Sequence, residues 1–241
     1  VAVVAAGNEP YCPIGSPGGA RKAITVGATN KQDGIADFSC RGPVKWTDVN
    51  GNEQILIKPD VVAPGVNICS AEYASAWSDR RCIDGKHVAI SGTSMATPVV
   101  SGSVALLKQK HSDWTPEDFK NVLKGTAKDL GKKVIEQGSG RIQIVEASNI
   151  VGKPEEVFDF YVYFESKINN IYNKVELKGI FPSDYDSLVV EYKKEGEENW
   201  RSEGIDIIGR NGVIAEFNPE GLISETGDYE FRIKLIINDV E

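Results

Sequence analysis

The sequence predicts an α/β domain built on a parallel sheet, followed by a small all-β sandwich domain. Three observations carry that prediction. Short apolar runs in AITVGATN, DVVAPGVNI and HVAISGTS each end on Gly, Asn or Ser, as strands feeding functional loops in an open α/β sheet do. Two helical patterns follow the last of them. Around Gly152–Glu156 the texture then changes to short runs rich in Val, Ile, Tyr and Phe, which puts a boundary between residues 1–151 and 155–241.

The chain opens on VAVVAA, closed by Gly7-Asn8, a run that reads as a strand buried on both faces of a parallel sheet. A helix is expected from about Ser94 to Gln109, with Met95, Val99, Val100, Ala105, Leu106 and Leu107 as a largely buried apolar surface. Thr115-Pro116-Glu117-Asp118 supplies an N-cap, a proline at the first helical position and acidic residues on the first turn of a second helix. Phe119, Val122 and Leu123 follow at helical spacing, and Gly125 is its stop. In the last part, VFDFYVYF, KVELKGIF, SLVVEYKK, GVIAEF and DYEFRIKLII alternate between turn residues such as Pro182-Ser183-Asp184 and Asn211-Gly212. That spacing is expected of an antiparallel sandwich.

At 241 residues one large or two modest domains are expected. With 41% hydrophobic and 26% charged residues the chain reads as soluble and globular, and no apolar run approaches the roughly 20 residues that span a bilayer. No membrane partner is expected. Residues 1–152 carry 17 Lys/Arg against 15 Asp/Glu, whereas residues 153–241 carry 10 against 20. An acidic second part argues against nucleic acid as a partner. Cys12, Cys40, Cys69 and Cys82 lack the close pairing of a zinc site, so no metal is assigned. The separation of Cys69 and Cys82 suits a disulfide, but four buried free thiols fit the sequence as well.

The chemistry-bearing stretch is SGTSMATPVVSG, residues 91–102, where a serine sits on the turn into an apolar helix. A serine there is commonly no more than an N-cap. Its setting says otherwise. AAGNE at 5–9, KPDVVAPGVNI at 58–68 and SGTSMATP at 91–98 stand in an order that resembles the later part of the catalytic domain of subtilisin-like serine proteases, the subtilases of peptidase family S8. The likeness runs on through LLKQKHSDWTPEDFK and GSGRIQIVEA. It implies peptide-bond hydrolysis through an acyl-enzyme on Ser94, with Asn8 donating to the oxyanion and Thr93 adding a hydroxyl near the same oxygen. It further implies that Ala5, Ala6 and Gly7 line the substrate pocket, with a cis bond at Ser16-Pro17 behind it. As a plain structural alternative, small residues at 5–7 permit close strand packing.

A base must come within about 2.6 to 3.2 Å of the nucleophile. His87 lies seven residues before Ser94 in an incoming strand, and His111 lies seventeen residues after it, some 25 Å down a helix. Neither reaches. His111 is expected to complement a helix C-terminus. The HGTH- and DTG-type segments that hold the base and its carboxylate in the family do not occur, and Asp33-Gly34 stands out of order. The expectation is therefore the later piece of a longer protease, inactive alone, joined by its missing N-terminal part or self-associating through residues 1–6.

Protein or peptide substrates, structural calcium without an assignable site, and an extracellular or cell-surface location are likewise implied by the resemblance. Two other functions are open: a non-catalytic protease-like scaffold that displays the second domain, and a second domain that is itself the binding element. The order EYKKEGEENW then GDYEFRIKL in that domain resembles the middle and late strands of fibronectin type III modules, mostly through one Tyr and one Trp, with any other β-sandwich as the alternative. Its aromatics Tyr192, Trp200 and Tyr229 are more often used in core packing than as a ligand platform.

Overall fold

A computed structural model describes residues 1–157 apart from 11, 48–50, 52 and 155–156. Beyond them it describes 159–164, 167–168, 171–172, 175–180, 187–194, 196–202, 205–207, 211–217 and 229–236. The chain divides into two compact units, Val1–Val157 and Phe158–Glu241.

The first unit is mixed α/β. Its parallel sheet takes β1 (Val3–Ala5), β2 (Ile24–Thr29) and β5 (Val61–Pro64) in the order β1-β2-β5, with Val3 opposite Ile24 and Val26 opposite Val61. Two antiparallel hairpins are added, β3 (Val44–Thr47) with β4 (Glu53–Leu56), and β6 (Ile68–Ala71) with β7 (His87–Ile90). Every residue of β2 is buried, as a strand flanked on both edges and covered on its faces must be. HVAI, in contrast, is not a strand of the parallel sheet. It forms β7 and pairs antiparallel with β6.

Four helices follow: α1 (Thr93–Lys110), α2 (Pro116–Gly125), α3 (Val134–Gln137) and α4 (Ile144–Asn149). α1 lies on the sheet with Ala96, Val100, Val104 and Leu107 buried, which are four-, four- and three-residue steps along one helical face. They join Ile24, Val26, Val61 and Ala63 from the sheet, and Trp114, Phe119 and Leu123 from the following segment, in one apolar cluster. The expectation that α1 buries most of its apolar surface fails at Val99 (37% exposed) and Leu106 (60% exposed), and Ala105 is exposed too, because only one side of the helix faces the sheet. VAVVAA departs from expectation in the same way. Among the described strands β1 has a single neighbour, so Val3–Ala5 are half-buried instead of buried and Val1 is exposed.

α2 begins as its sequence dictates. The Thr115 hydroxyl accepts the Asp118 N–H at 3.2 Å, and the Asp118 carboxylate accepts the Thr115 N–H at 2.7 Å, closing a capping box with Pro116 at the first helical position. The Thr115 N–H holds the Asp118 carboxyl below its ordinary pKa. Two disulfides, Cys12–Cys40 and Cys69–Cys82, take up all four cysteines. The Cys12–Cys40 link, 28 residues apart, has no spacing signature by which a sequence could announce it.

All the described strands of the second unit are antiparallel. β8 (Asp159–Phe164), β11 (Val175–Ile180), β13 (Ile205–Ile207) and β14 (Asn211–Phe217) form a sheet in the order β13-β14-β11-β8. β9 (Lys167–Ile168) pairs with β10 (Ile171–Tyr172), and β12 (Ser187–Lys194) with β15 (Tyr229–Ile236). Asn211-Gly212 is no turn; it opens β14 opposite Ile180 and Gly179. The turn expected at Pro182-Ser183-Asp184 lies outside the described residues. Tyr192 is buried and packs against Phe231, with ring centroids 6.4 Å apart, and Lys193 lies over the half-buried Trp200 ring at 5.0 Å.

Candidate active site

Three chain segments meet at the N-terminal end of α1. β1 runs through Ala6, whose N–H donates to Val26 carbonyl oxygen at 2.9 Å, and ends on Gly7 and Asn8. Gly7 sits at φ +117°, and a Cβ there would lie 2.5 Å from Cys40 Sγ, so both the backbone and the space exclude a side chain. Its carbonyl accepts the Cys40 N–H at 3.1 Å, which fastens the end of β1 to the FSCRGP segment and its disulfide.

From the other side, the loop after β5 brings Gly65 against Gly92. The Gly92 N–H donates to Gly65 carbonyl oxygen at 2.8 Å, and a Cβ on Gly65 would stand 2.7 Å from Gly92 carbonyl oxygen. The glycines of KPDVVAPG and SGTS thus let two backbones touch.

Gly92 occupies the N-cap position of α1, with Thr93 and Ser94 as its first two helical residues. Ser94 is no N-cap. Thr93 is fully buried and gathers the site: its N–H donates to Asn8 Oδ1 at 2.7 Å, its hydroxyl donates to the same oxygen at 2.8 Å, and the Gly7 N–H reaches that hydroxyl at 3.2 Å. The hydroxyl that the resemblance puts beside the oxyanion is therefore taken up by Asn8 and Gly7. Thr93 orients Asn8.

The consequence is a fixed carboxamide. With Oδ1 turned into the protein by two donors, the Asn8 Nδ2 group points the other way, and no acceptor among the described residues takes it. The donors at the start of α1 are accounted for in the same manner. The Thr93 N–H goes to Asn8, and those of Met95 and Ala96 go to Gly92 carbonyl oxygen at 2.9 and 3.3 Å. Among the described residues the Ser94 N–H has no acceptor, and the exposed Ser94 side chain has no hydrogen-bond partner. Four unpaired N–H groups are the rule at a helix start. Here the Gly92 N–H goes to Gly65, that of Thr93 to Asn8 and that of Met95 back to Gly92, which leaves a single donor beside a single free hydroxyl.

Ala5 closes β1, and Ala6 is buried against Ile14 and Cys40. Ser16-Pro17 is cis, as are Gly42-Pro43 and Lys58-Pro59. The histidines stay away from this end of α1. His87 opens β7 and its Nδ1 pairs with Asp84 Oδ1 at 2.8 Å. His111 caps the far end of α1, about 25 Å along the axis, with its ring stacked on Trp114 at a centroid distance of 3.8 Å. Asp33 forms ion pairs with Lys128 at 2.9 Å and Arg141 at 2.6 Å. Among the described residues no three His, Cys, Asp or Glu side chains converge on one point.

The KPD segment has a role that its sequence does not announce. Asp60 is buried, and its Oδ2 accepts the Thr25 N–H and the Lys58 ammonium, both at 2.6 Å, while Oδ1 meets Lys120 at 3.1 Å. Lys58 also donates to Ala23 carbonyl oxygen, and Lys120 to that of Arg21. Burial holds the Lys58 ammonium below its ordinary pKa, opposed by the Asp60 carboxylate. This cluster ties β2, the start of β5 and α2 together beneath the site. Residues 58 and 120 are too far apart for a local pattern to connect them.

An exposed serine with an adjacent backbone donor and a carboxamide locked by its own oxygen has the donor arrangement of acyl-transfer sites. The chain belongs to the subtilase family: the peptidase S8 family model matches residues 1–141. Serine protease AprX of Bacillus subtilis is 41% identical over 142 residues, covering 53% of this chain and 30% of that protein. Subtilisin-like protease SBT3.10 of Arabidopsis thaliana is 43% identical over 110 residues, 44% of this chain and 13% of its own. The chain thus spans under a third of the length of either relative. The solved structure of prenylagaramide maturation protease PagA matches 61% of this chain and 48% of its own at 27% identity, with a TM-score of 0.46.

Proposed function

We propose that the first unit carries the nucleophile and oxyanion half of a serine endopeptidase that acts on protein or peptide substrates. Ser94 Oγ attacks the carbonyl carbon of the scissile bond and gives its proton to an imidazole. The carbonyl oxygen takes the negative charge and is held by Asn8 Nδ2 and the Ser94 N–H, with the positive end of the α1 dipole behind them. Collapse of the tetrahedral adduct breaks the C–N bond, the leaving amine takes the proton, and water hydrolyses the acyl-enzyme by the same route. Ala5, Ala6 and Gly7 form one wall of the substrate pocket.

The observation that carries this reading is the orientation of Asn8: two bonds from Thr93 fix its oxygen inward and leave its N–H₂ group for an incoming oxyanion. A scaffold without chemistry has no need of that.

The base and its carboxylate come from polypeptide outside these 241 residues, since His87 is engaged by Asp84 and His111 lies at the far end of α1. The isolated chain is accordingly inactive. That polypeptide, or a second copy through residues 1–6, adds to the edge of β1 that has no neighbour among the described strands, a reading supported by the exposure of Val1. The second unit is a β-sandwich of the fibronectin type III sort, a reading supported by its antiparallel strands and buried Tyr192. An extracellular or cell-surface location is supported by the two disulfides, which persist in oxidising compartments.

A serine-directed fluorophosphonate probe tests the proposal. Labelling is expected at Ser94 when the Asp and His segments are supplied, absent without them and absent in Ser94→Ala. Equal labelling of the isolated chain, or none in either form, rejects it.

A further inference from the structure

The hairpin that leads into Ser94 carries a feature the catalytic chemistry does not use. β6 and β7 are joined by residues 72–86, and the Cys69–Cys82 disulfide links β6 to the strand-like segment at Arg81, which bridges Val88. Arg81 is thus held alongside β7. Together with Arg80 it faces a cavity of about 440 Å³, completed by Asn67, Ala89, Ile90 and Ser91. The Ser91 hydroxyl accepts the Asn67 N–H at 2.9 Å, which fixes the rim.

Charge on this hairpin is unbalanced where the cavity lies. Its three acids are Glu72, Asp79 and Asp84. Glu72 accepts the Trp77 N–H at 3.0 Å, and Asp84 is held by the Lys86 N–H at 2.6 Å and the His87 ring at 2.8 Å. Asp79 approaches only Arg80, at 3.9 Å with both side chains exposed. Among the described residues Arg81 has no carboxylate partner. A guanidinium presents a planar fork of donors suited to a carboxylate, and one held in place by a disulfide-tied backbone loses less freedom on pairing.

The cavity also has a definite relation to the proposed nucleophile. Ser91 precedes Ser94 by three residues, so its Cα is no more than about 11 Å from that of Ser94. An extended peptide advances about 3.3 Å per residue.

We propose that this cavity is a substrate-recognition site for a carboxylate side chain, with Arg81 as the principal specificity-determining residue and Arg80 supporting it. The substrate class is a peptide with Asp or Glu within about three residues of the bond that Ser94 attacks. This rests on the peptidase reading for the identity of the ligand, but the binding itself needs no catalytic base.

The test uses the 241-residue chain and capped, extended hexapeptides bearing one Glu or one Gln at each position in turn, with affinity measured by calorimetry. One Glu position is expected to bind about tenfold tighter than its Gln counterpart, the scale of one hydrogen bond to a charged group. The preference is expected to vanish at about 1 M salt, where the screening length is about 3 Å. The Arg80→Glu/Arg81→Glu double variant is expected to reverse it in favour of Lys peptides, a gain that an unfolded protein cannot show. Ser94→Ala is expected to leave it unchanged. Equal binding of Glu and Gln peptides at every position, or a preference that survives the double variant, overturns the site. If the preference holds while Ser94 stays unlabelled in the base-containing protein, the peptidase reading fails and this site stands. If Ser94 is labelled but no charge preference is found, this inference alone fails.

Discussion

Two polar clusters flank the same sheet and end in opposite states. Around Asp60, each charged group is matched: a carboxylate receives two ammonium groups and a backbone N–H, and both lysines also reach carbonyl oxygens. Around Asn8, Thr93 saturates one end of a carboxamide and leaves its other end, the Ser94 N–H and the Ser94 hydroxyl without partners among the described residues. The first cluster is buried; Asn8 and Ser94 are exposed. A fully matched network holds elements in place, and a half-matched one, fixed on one side only, is ready to receive something. Family motifs flag both segments alike, and only the hydrogen-bond accounting separates structure from chemistry.

The largest expected effect falls on the matched cluster. Asp60→Asn leaves Lys58 buried beside a neutral partner and is expected to cost about 3–5 kcal/mol in urea-induced unfolding, the range for breaking one side of a buried ion pair. Ser94→Ala removes an exposed hydroxyl with no partner and is expected to change stability by no more than about 0.5 kcal/mol. Comparable losses from both would erase the distinction.

Next comes Asn8→Ala, expected to lower turnover of the base-containing enzyme by about 10²–10³-fold, the magnitude known for loss of the corresponding donor in subtilisin, with little change in unfolding free energy. A variant that unfolds instead would move Asn8 into the structural class.

Much of this is legible in the sequence, for reasons that can be named. SGTSMATP and AAGNE are contiguous, so Ser94 and Asn8 stand out, and the α2 start is written in four consecutive residues. Thr93 is less transparent. The motif suggests its hydroxyl at the oxyanion, whereas its burial and its bonds to Gly7 and Asn8 depend on an 85-residue separation that no local pattern encodes. The same holds for Lys58 with Lys120 and for Cys12 with Cys40. The apolar composition of α1 suggests burial on most sides, but burial depends on what lies against a helix, and Leu106 faces none of the described residues closely enough to be covered.

Smaller effects sharpen the contrast further from the site. Thr115→Ala opens the capping box and is expected to cost about 1 kcal/mol, visible as a lower unfolding midpoint with unchanged serine labelling. Asp33 supplies a pH signature. Hydrogen bonds from Lys128, then Arg141, hold its carboxyl below the ordinary value of 3.8 in the folded chain. Its contribution is therefore fully present above pH 3.8 and is lost as the pH falls through the depressed folded value. Asp33→Asn is expected to flatten that acid limb in a stability–pH series, while Ser94→Ala leaves it intact.

The central claim is that Thr93 acts on the oxyanion through Asn8 and not directly. A double-mutant cycle of Asn8→Ala and Thr93→Val, read as the rate of Ser94 labelling by a peptidyl fluorophosphonate in the base-containing protein, measures this. The account predicts that Thr93→Val slows labelling when Asn8 is present and adds nothing once it is gone. Losses that simply add would contradict it.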